Sequence, residues 1–212
     1  MNLNDILLAV DYIQHAPGGI ALRGQTYLRT YPRILEVAAL PGDGQARLLA
    51  AASFAYSWMP RILRLDPDHF EGAAEAVPDI VNAGDNWDAD LLESLANCLH
   101  SVVGAAKVAH FLNPNSFPIW DSNVEGYRLP NNEIDQYHMQ NLANYGAYSQ
   151  EIGQIRAAQG FNDFAQAMVL AVGQRFDALQ IPAYEIGPLR LIDLALWEII
   201  ANGAQQVAAG DV

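Results

Sequence analysis

Cysteine is all but absent: Cys98 is the only one in 212 residues. A disulfide framework and a multi-cysteine metal site are thereby excluded. Lysine is equally scarce. Lys107 stands alone among eleven basic residues, and the other ten are arginine. Positive charge is outnumbered, with 24 Asp plus Glu and a formal net charge of -13. A positively coated surface for tight, non-specific nucleic-acid binding is not expected. Charged residues make up only 17% of the chain against 51% hydrophobic ones, which excludes disorder as its overall state. A long uncharged apolar run is also missing. The most apolar stretch, Leu189 to Ile200, is interrupted by Arg190, Asp193 and Glu198, so no membrane span is expected. The first residues carry no basic cluster and reach Asp11 too soon for a signal peptide. Together these absences read as a soluble protein of the reducing cytoplasm.

What charge there is lies unevenly. Residues 23–64 hold six arginines and two acids, whereas residues 65–104 hold nine acids and no base. One segment can attract an anion while its neighbour repels one.

The length suits one domain. We expect a single helical domain over 1–204 and a frayed tail over 205–212. Asn4 can cap a first helix to about His15, before Pro17-Gly18-Gly19. Pro32 suits the first position of a helix through Leu40. Asp43 or Gly44 starts an Ala-rich helix to Met59, and Asp66-Pro67 opens a short one through about Val77. Pro78 to Trp87 reads as a loop, with Asp85, Asn86 and Asp88 as candidate caps. Residues 88–112 read as one helix, with Leu91, Leu92, Leu95, Leu99, Val102 and Val103 on a buried face. Phe117-Pro118-Ile119-Trp120 reads as a short extended piece. Asp121 or Ser122 caps a further helix. Helices are expected near 133–157 and 161–179, and a last one starts at Pro188. Alternating strand patterns are almost absent. The expected fold is all-α, an irregular bundle of eight or nine helices.

The chemically informative stretch runs from Gly104 through Lys107, His110 and Phe117-Pro-Ile-Trp-Asp121 to Val124. An amine can do what a guanidinium cannot: partly buried, its pKa falls and it becomes a nucleophile or Schiff-base former. Asp121 follows bulky apolar residues able to shield it. The plainer alternative is an exposed lysine and an N-cap aspartate.

The run Lys107-Val-Ala through Phe117-Pro-Ile-Trp-Asp121-Ser-Asn-Val124 resembles the core of the helix-hairpin-helix DNA glycosylases, the superfamily of endonuclease three and 8-oxoguanine DNA glycosylase. That resemblance implies an all-α fold and base flipping. It also implies Lys107 as the amine attacking the sugar C1′ and Asp121 as the carboxylate that stabilises the developing positive sugar or assists proton transfer. The family places glycines two and four residues before the lysine. Here Ala105 and Val103 hold those places, with Gly104 between them.

Other groupings point less sharply. His100 and His110, with Cys98 nearby, have poor metal spacing, so no metal is expected, and no cofactor motif is visible. Tyr137, His138, Tyr145 and Tyr148 can stack on a base or fill a core. Arg23, Tyr27, Arg29, Tyr31 and Arg33 interleave cations with aromatics. Arg190 and Asp193 are spaced as a partly buried pair.

Two functional readings stand side by side. In one, the protein is a DNA-repair-like glycosylase, or a descendant that still binds a base. DNA then meets a local basic face, with Arg23, Arg29, Arg33, Gly104, His110 and Trp120 as nucleic-acid contacts and Lys107 and Asp121 as the catalytic pair. In the other, it is a non-enzymatic interaction protein of immunity, antitoxin or DNA-mimic type, offering segment 65–104 to a basic protein partner. A helical enzyme of another class is a third possibility.

Overall fold

The computed structural model describes residues 1–59, 61–85 and 89–210. The fold is all-α, with no strand among the described residues. After a 3-10 turn at Leu3–Ile6 come α1 (Leu8–His15), α2 (Leu22–Ala38), α3 (Gly44–Ser57), α4 (Pro67–Glu75) and α5 (Val77–Asn82). A second 3-10 turn at Ala89–Leu92 leads into α6 (Glu93–Leu99), α7 (Val102–Leu112) and α8 (Ser122–Arg128). The chain ends with α9 (Gln136–Met139), α10 (Leu142–Ala157), α11 (Phe161–Leu179) and α12 (Pro188–Gly210). No helix among the described residues is long and apolar enough to cross a membrane.

Local chemistry accounts for most starts. Asp43, Asp66, Asp121, Asp135 and Asn141 each accept a backbone N–H of the helix they precede. Pro67 and Pro188 occupy first turns, where a missing N–H costs nothing.

Several expectations are corrected. The second helix begins at Leu22, and Pro32 lies inside it. An interior proline costs about 3 kcal/mol. Here Leu28, Tyr31, Ile34 and Ala38 bury one face of the same helix, and each large apolar side chain returns about 2 kcal/mol. Packing therefore wins. Part of the expected loop after Val77 is helical, as α5; its proposed caps Asn86 and Asp88 lie outside the described residues. The expected helix over 88–112 is two helices. His100 takes a left-handed conformation at φ 48°, and Ser101 restarts the chain as the cap of α7, its Oγ accepting from the Gly104 N–H at 3.0 Å. The expected segment 133–157 likewise divides into α9 and α10 at Asn141. These divisions raise the element number above the eight or nine expected.

The centre of the bundle is α7, packed against α3, α6, α2, α5 and α10. All its residues are buried except Val103 and Lys107, which are half-buried. Being four apart, these two share one face. Its close fit to α3 depends on Gly104, where an added Cβ would lie 2.7 Å from the Tyr56 hydroxyl. The last helix, α12, spans α1, α8, α10 and α11.

Candidate functional site

The Lys107 amine leaves the one face of α7 that the bundle does not cover. Its side chain is only 13% exposed, and Nζ lies 3.8 Å from Oδ2 of Asp121. The carboxylate is held from the opposite side: Asp121 Oδ1 accepts the N–H groups of Asn123 and Val124 at 3.0 and 3.1 Å. One oxygen thus caps α8 and the other faces the amine. Burial pushes the Lys107 amine below the usual lysine value; Asp121 and Asp193 pull it back without restoring it, and Arg23 and Arg61 add to the lowering.

Asp121 owes its position to the extended Phe117–Trp120 segment. Tyr145 and Tyr148, one turn apart on α10, donate to the carbonyls of Pro118 and Ile119 at 3.1 and 3.0 Å. Both tyrosines are core residues.

Beside the amine lies a second charged pair. Arg190 and Asp193 on α12 are buried and hydrogen-bonded to each other. The Arg190 guanidinium lies 4.3 Å from the centroid of the Tyr31 ring and 5.9 Å from that of Trp58, in cation–π geometry. The Tyr31 hydroxyl is 2.8 Å from Nε2 of His110, whose Nδ1 is 2.7 Å from the Phe117 carbonyl. A carbonyl only accepts, so Nδ1 carries the proton and Nε2 accepts from Tyr31. Burial pushes His110 down to about 3, which keeps the ring neutral. The chain from Phe117 through His110 and Tyr31 to Arg190 ties α7, α2 and α12 behind the amine. Burial also pushes the Asp193 carboxyl up, with Arg190 opposing it.

A cavity of about 300 Å³ opens in front of these groups. Tyr27, Trp58, Trp197, Leu28, Ile119 and Leu194 supply its apolar surface, and Lys107, Asp121, Arg190 and Asp193 its charges. The Tyr27 and Trp58 rings stack with centroids 4.8 Å apart. Tyr27 donates to the Trp58 carbonyl at 3.0 Å, and the Trp58 indole N–H donates to Thr30 at 3.1 Å, so α2 holds this wall in place. Gly24 lets Trp197 cross α2: a Cβ there would lie 2.5 Å from the indole. Arg190 lines the cavity, while its Nε is buried and has no hydrogen-bond partner among the described residues.

A second cavity, of about 470 Å³, adjoins the first. The two share Arg23, Trp58, Lys107, Asp121 and Asn123 in their walls. Arg61, Ser101, Ser122, Gln136 and Gln140 give the second a polar lining.

Of the eight residues expected to catalyse or to contact nucleic acid, the structure brings Lys107, Asp121 and Arg23 to one place. The others lie elsewhere. Arg29 donates to the carbonyls of Leu179 and Gln180 at the end of α11. Arg33 forms an exposed pair with Glu36. Gly104 is packed beneath Tyr56. His110 and Trp120 have no exposed surface, and the Trp120 indole N–H donates to Glu125 at 2.9 Å. None of these five touches the cavities. Trp58 and Trp197 carry no signal in the sequence, whereas Tyr27, from the alternation of cations and aromatics, and the Arg190–Asp193 pair also line the cavity. Their convergence depends on long-range packing. No cluster of three or more His, Cys, Asp or Glu able to hold a metal exists among the described residues.

No family model matches the chain, and neither the curated proteins nor the solved structures contain a match to it.

Proposed function

We propose that the protein is a glycosylase-like enzyme acting on an extrahelical nucleobase, with Lys107 as nucleophile and Asp121 as its carboxylate partner. The observation that carries this reading is a desolvated primary amine 3.8 Å from a fixed carboxylate at the mouth of an aromatic-walled cavity. Aromatic faces take a base by stacking. The base sits against Tyr27, Trp58 and Trp197, and its sugar C1′ comes to the amine. The neutral Lys107 amine attacks C1′ as the C1′–N bond to the base breaks, and the base leaves with its bonding pair and takes up a proton. Loss of a proton from nitrogen and opening of the C1′–O4′ bond give an iminium and a free hydroxyl. Asp121 offsets the positive charge that develops at C1′ and receives the amine proton. Water then releases the sugar.

The test is borohydride trapping on duplex and single-stranded oligonucleotides carrying damaged bases. Reduction of the iminium leaves a stable amine bond from Lys107 to the sugar. A covalent adduct that maps to Lys107 and disappears in Lys107→Met is expected. No adduct with any substrate overturns the lyase mechanism.

One observation favours a second reading. Asp68, Glu71, Glu75, Asp79 and Glu93 are exposed along α4–α6, as the docking face of an acidic interaction protein requires. A basic partner captured there dissociates steeply as salt rises. Complexes indifferent to salt, or unaffected by Glu71→Lys with Glu75→Lys, count against it.

A further inference from the structure

We infer that the substrate of this site is a free nucleoside 5′-monophosphate rather than a nucleotide within a duplex. The inference rests on the glycosylase reading and names the substrate class of the same site.

Three observations carry it. The first is the arrangement of the two cavities. One wall region, containing Lys107 and Asp121, belongs to both. On one side lies the aromatic cavity of about 300 Å³, and on the other the polar cavity of about 470 Å³. A nucleotide has the same order of parts: a flat base, then C1′ on the sugar, then the phosphate. With the base against Trp58 and Trp197, C1′ falls at the amine and the 5′-phosphate enters the polar cavity, toward Arg61 and Ser101.

The second is how the cations are spent. Five of the eleven basic residues are ion-paired: Arg128, Arg175 and Arg190 in buried pairs, Arg33 and Arg156 in pairs at the surface. Arg29 is committed to the end of α11, Arg47 donates to the Ala38 carbonyl, and Arg64 lies on neither cavity wall. Around the cavities stand Arg23, Arg61 and Lys107. Proteins that grip duplex DNA neutralise about 6–10 phosphates. With Lys107 acting as the neutral nucleophile, the two arginines suit one phosphate dianion and little more.

The third is the surrounding charge. The cavities carry Asp121, Asp135 and Asp193 in their walls, on a chain of net charge -13. A long polyanion meets this acidic surface at many points, whereas a mononucleotide brings a single phosphate, beside Arg61. The overall reaction balances as a hydrolysis: nucleotide plus water gives free base plus pentose 5-phosphate, through the Lys107 iminium.

The experiment incubates the full-length protein with each common deoxynucleoside and ribonucleoside 5′-monophosphate, with the matching nucleosides, and with single-stranded and duplex oligonucleotides. Free base is read by chromatography, and the borohydride-reduced adduct by intact mass. Base release from at least one monophosphate is expected, with an adduct of pentose phosphate on Lys107. Removing the phosphate raises KM about tenfold or more, as loss of a hydrogen bond to a charged group does. The exposed Arg61 gives a second variant that leaves the core intact: Arg61→Ala raises KM for the monophosphate by a similar factor and leaves KM for the nucleoside unchanged. Reaction on oligonucleotides with none on monophosphates overturns this inference and keeps the glycosylase reading. Reaction on neither overturns both. Equal effects of Arg61→Ala on nucleoside and monophosphate overturn the phosphate placement.

Discussion

Two carboxylates four residues apart meet opposite fates at the start of α8. Glu125 is fully enclosed and saturated. Arg128 donates to both its oxygens, through Nη2 at 2.5 Å and Nε at 2.8 Å; His138 Nε2 lies 2.5 Å from Oε1, and the Trp120 indole donates to Oε2 at 2.9 Å. Arg128 is held in turn by Glu151 at 2.8 Å. Asp121 has one oxygen occupied by the helix cap and the other facing a single amine at 3.8 Å across open space. A buried charge whose every lone pair is used has no capacity left for a ligand; it fixes structure. A half-satisfied pair on a cavity wall can exchange a proton with a substrate. Spare bonding capacity, more than charge or burial, separates the candidate site from the scaffold.

The sharpest way to break this comparison is to weaken both carboxylates by one atom. Glu125→Gln leaves Arg128 and His138 facing an amide in a closed space. Unfolding in urea is expected to show a loss of about 3–5 kcal/mol. The cost is pH-dependent in wild type as well. Burial pushes the Glu125 carboxyl up, but hydrogen bonds from Arg128, Trp120 and His138 outweigh it and hold it below its usual 4.5. With the folded value depressed, its stabilisation is complete above 4.5 and drains away as pH falls through the lower folded value. The acid limb of the stability curve flattens in Glu125→Gln.

The matching change at the other site, Asp121→Asn, keeps a good N-cap, because asparagine serves as well as aspartate there. Stability should move by less than about 1 kcal/mol, while base release falls by about 10²–10⁴-fold. Stability loss on the scale of Glu125→Gln contradicts the division drawn here. An unchanged rate removes Asp121 from the chemistry.

The comparison also explains what could be read from the chain directly. Helix starts at Asp43, Asp66 and Pro188 were legible because capping chemistry is local. So was the pairing of a lone amine with an aspartate at a helix start, since both are rare features of this sequence. The break at His100 was not. Neither glycine nor proline marks it, and a left-handed histidine costs about 1–2 kcal/mol. Tertiary packing sets it, with α6 lying on α4 and α7 on α3. His110 and Trp120 are chemically capable groups, and only their burial excludes them from the cavities. The aromatic wall was invisible because Tyr27 and Trp197 on α2 and α12 and Trp58 just past the end of α3 are far apart in sequence.

The smallest effect lies in the amine itself and has the opposite sign. Lys107 is desolvated, so folding works against its charged form, and Lys107→Met exchanges that charge for an apolar chain of similar length. We expect a gain of about 1 kcal/mol at neutral pH, the usual trade of function for stability, together with complete loss of the trapped adduct. The folded value is lowered from 10.5, so the unfolded chain binds the extra proton between the two values. Wild-type stability therefore rises with pH until 10.5 is passed. The variant lacks that rise, so the two curves converge on the alkaline side. Base release in wild type follows the neutral amine and climbs with pH to a midpoint below 10.5. Urea unfolding and rate measurements across the same buffers read both. A midpoint at or above 10.5, or a variant less stable than wild type at every pH, means that the amine is held charged by its partners and the site is built like the Glu125 cluster.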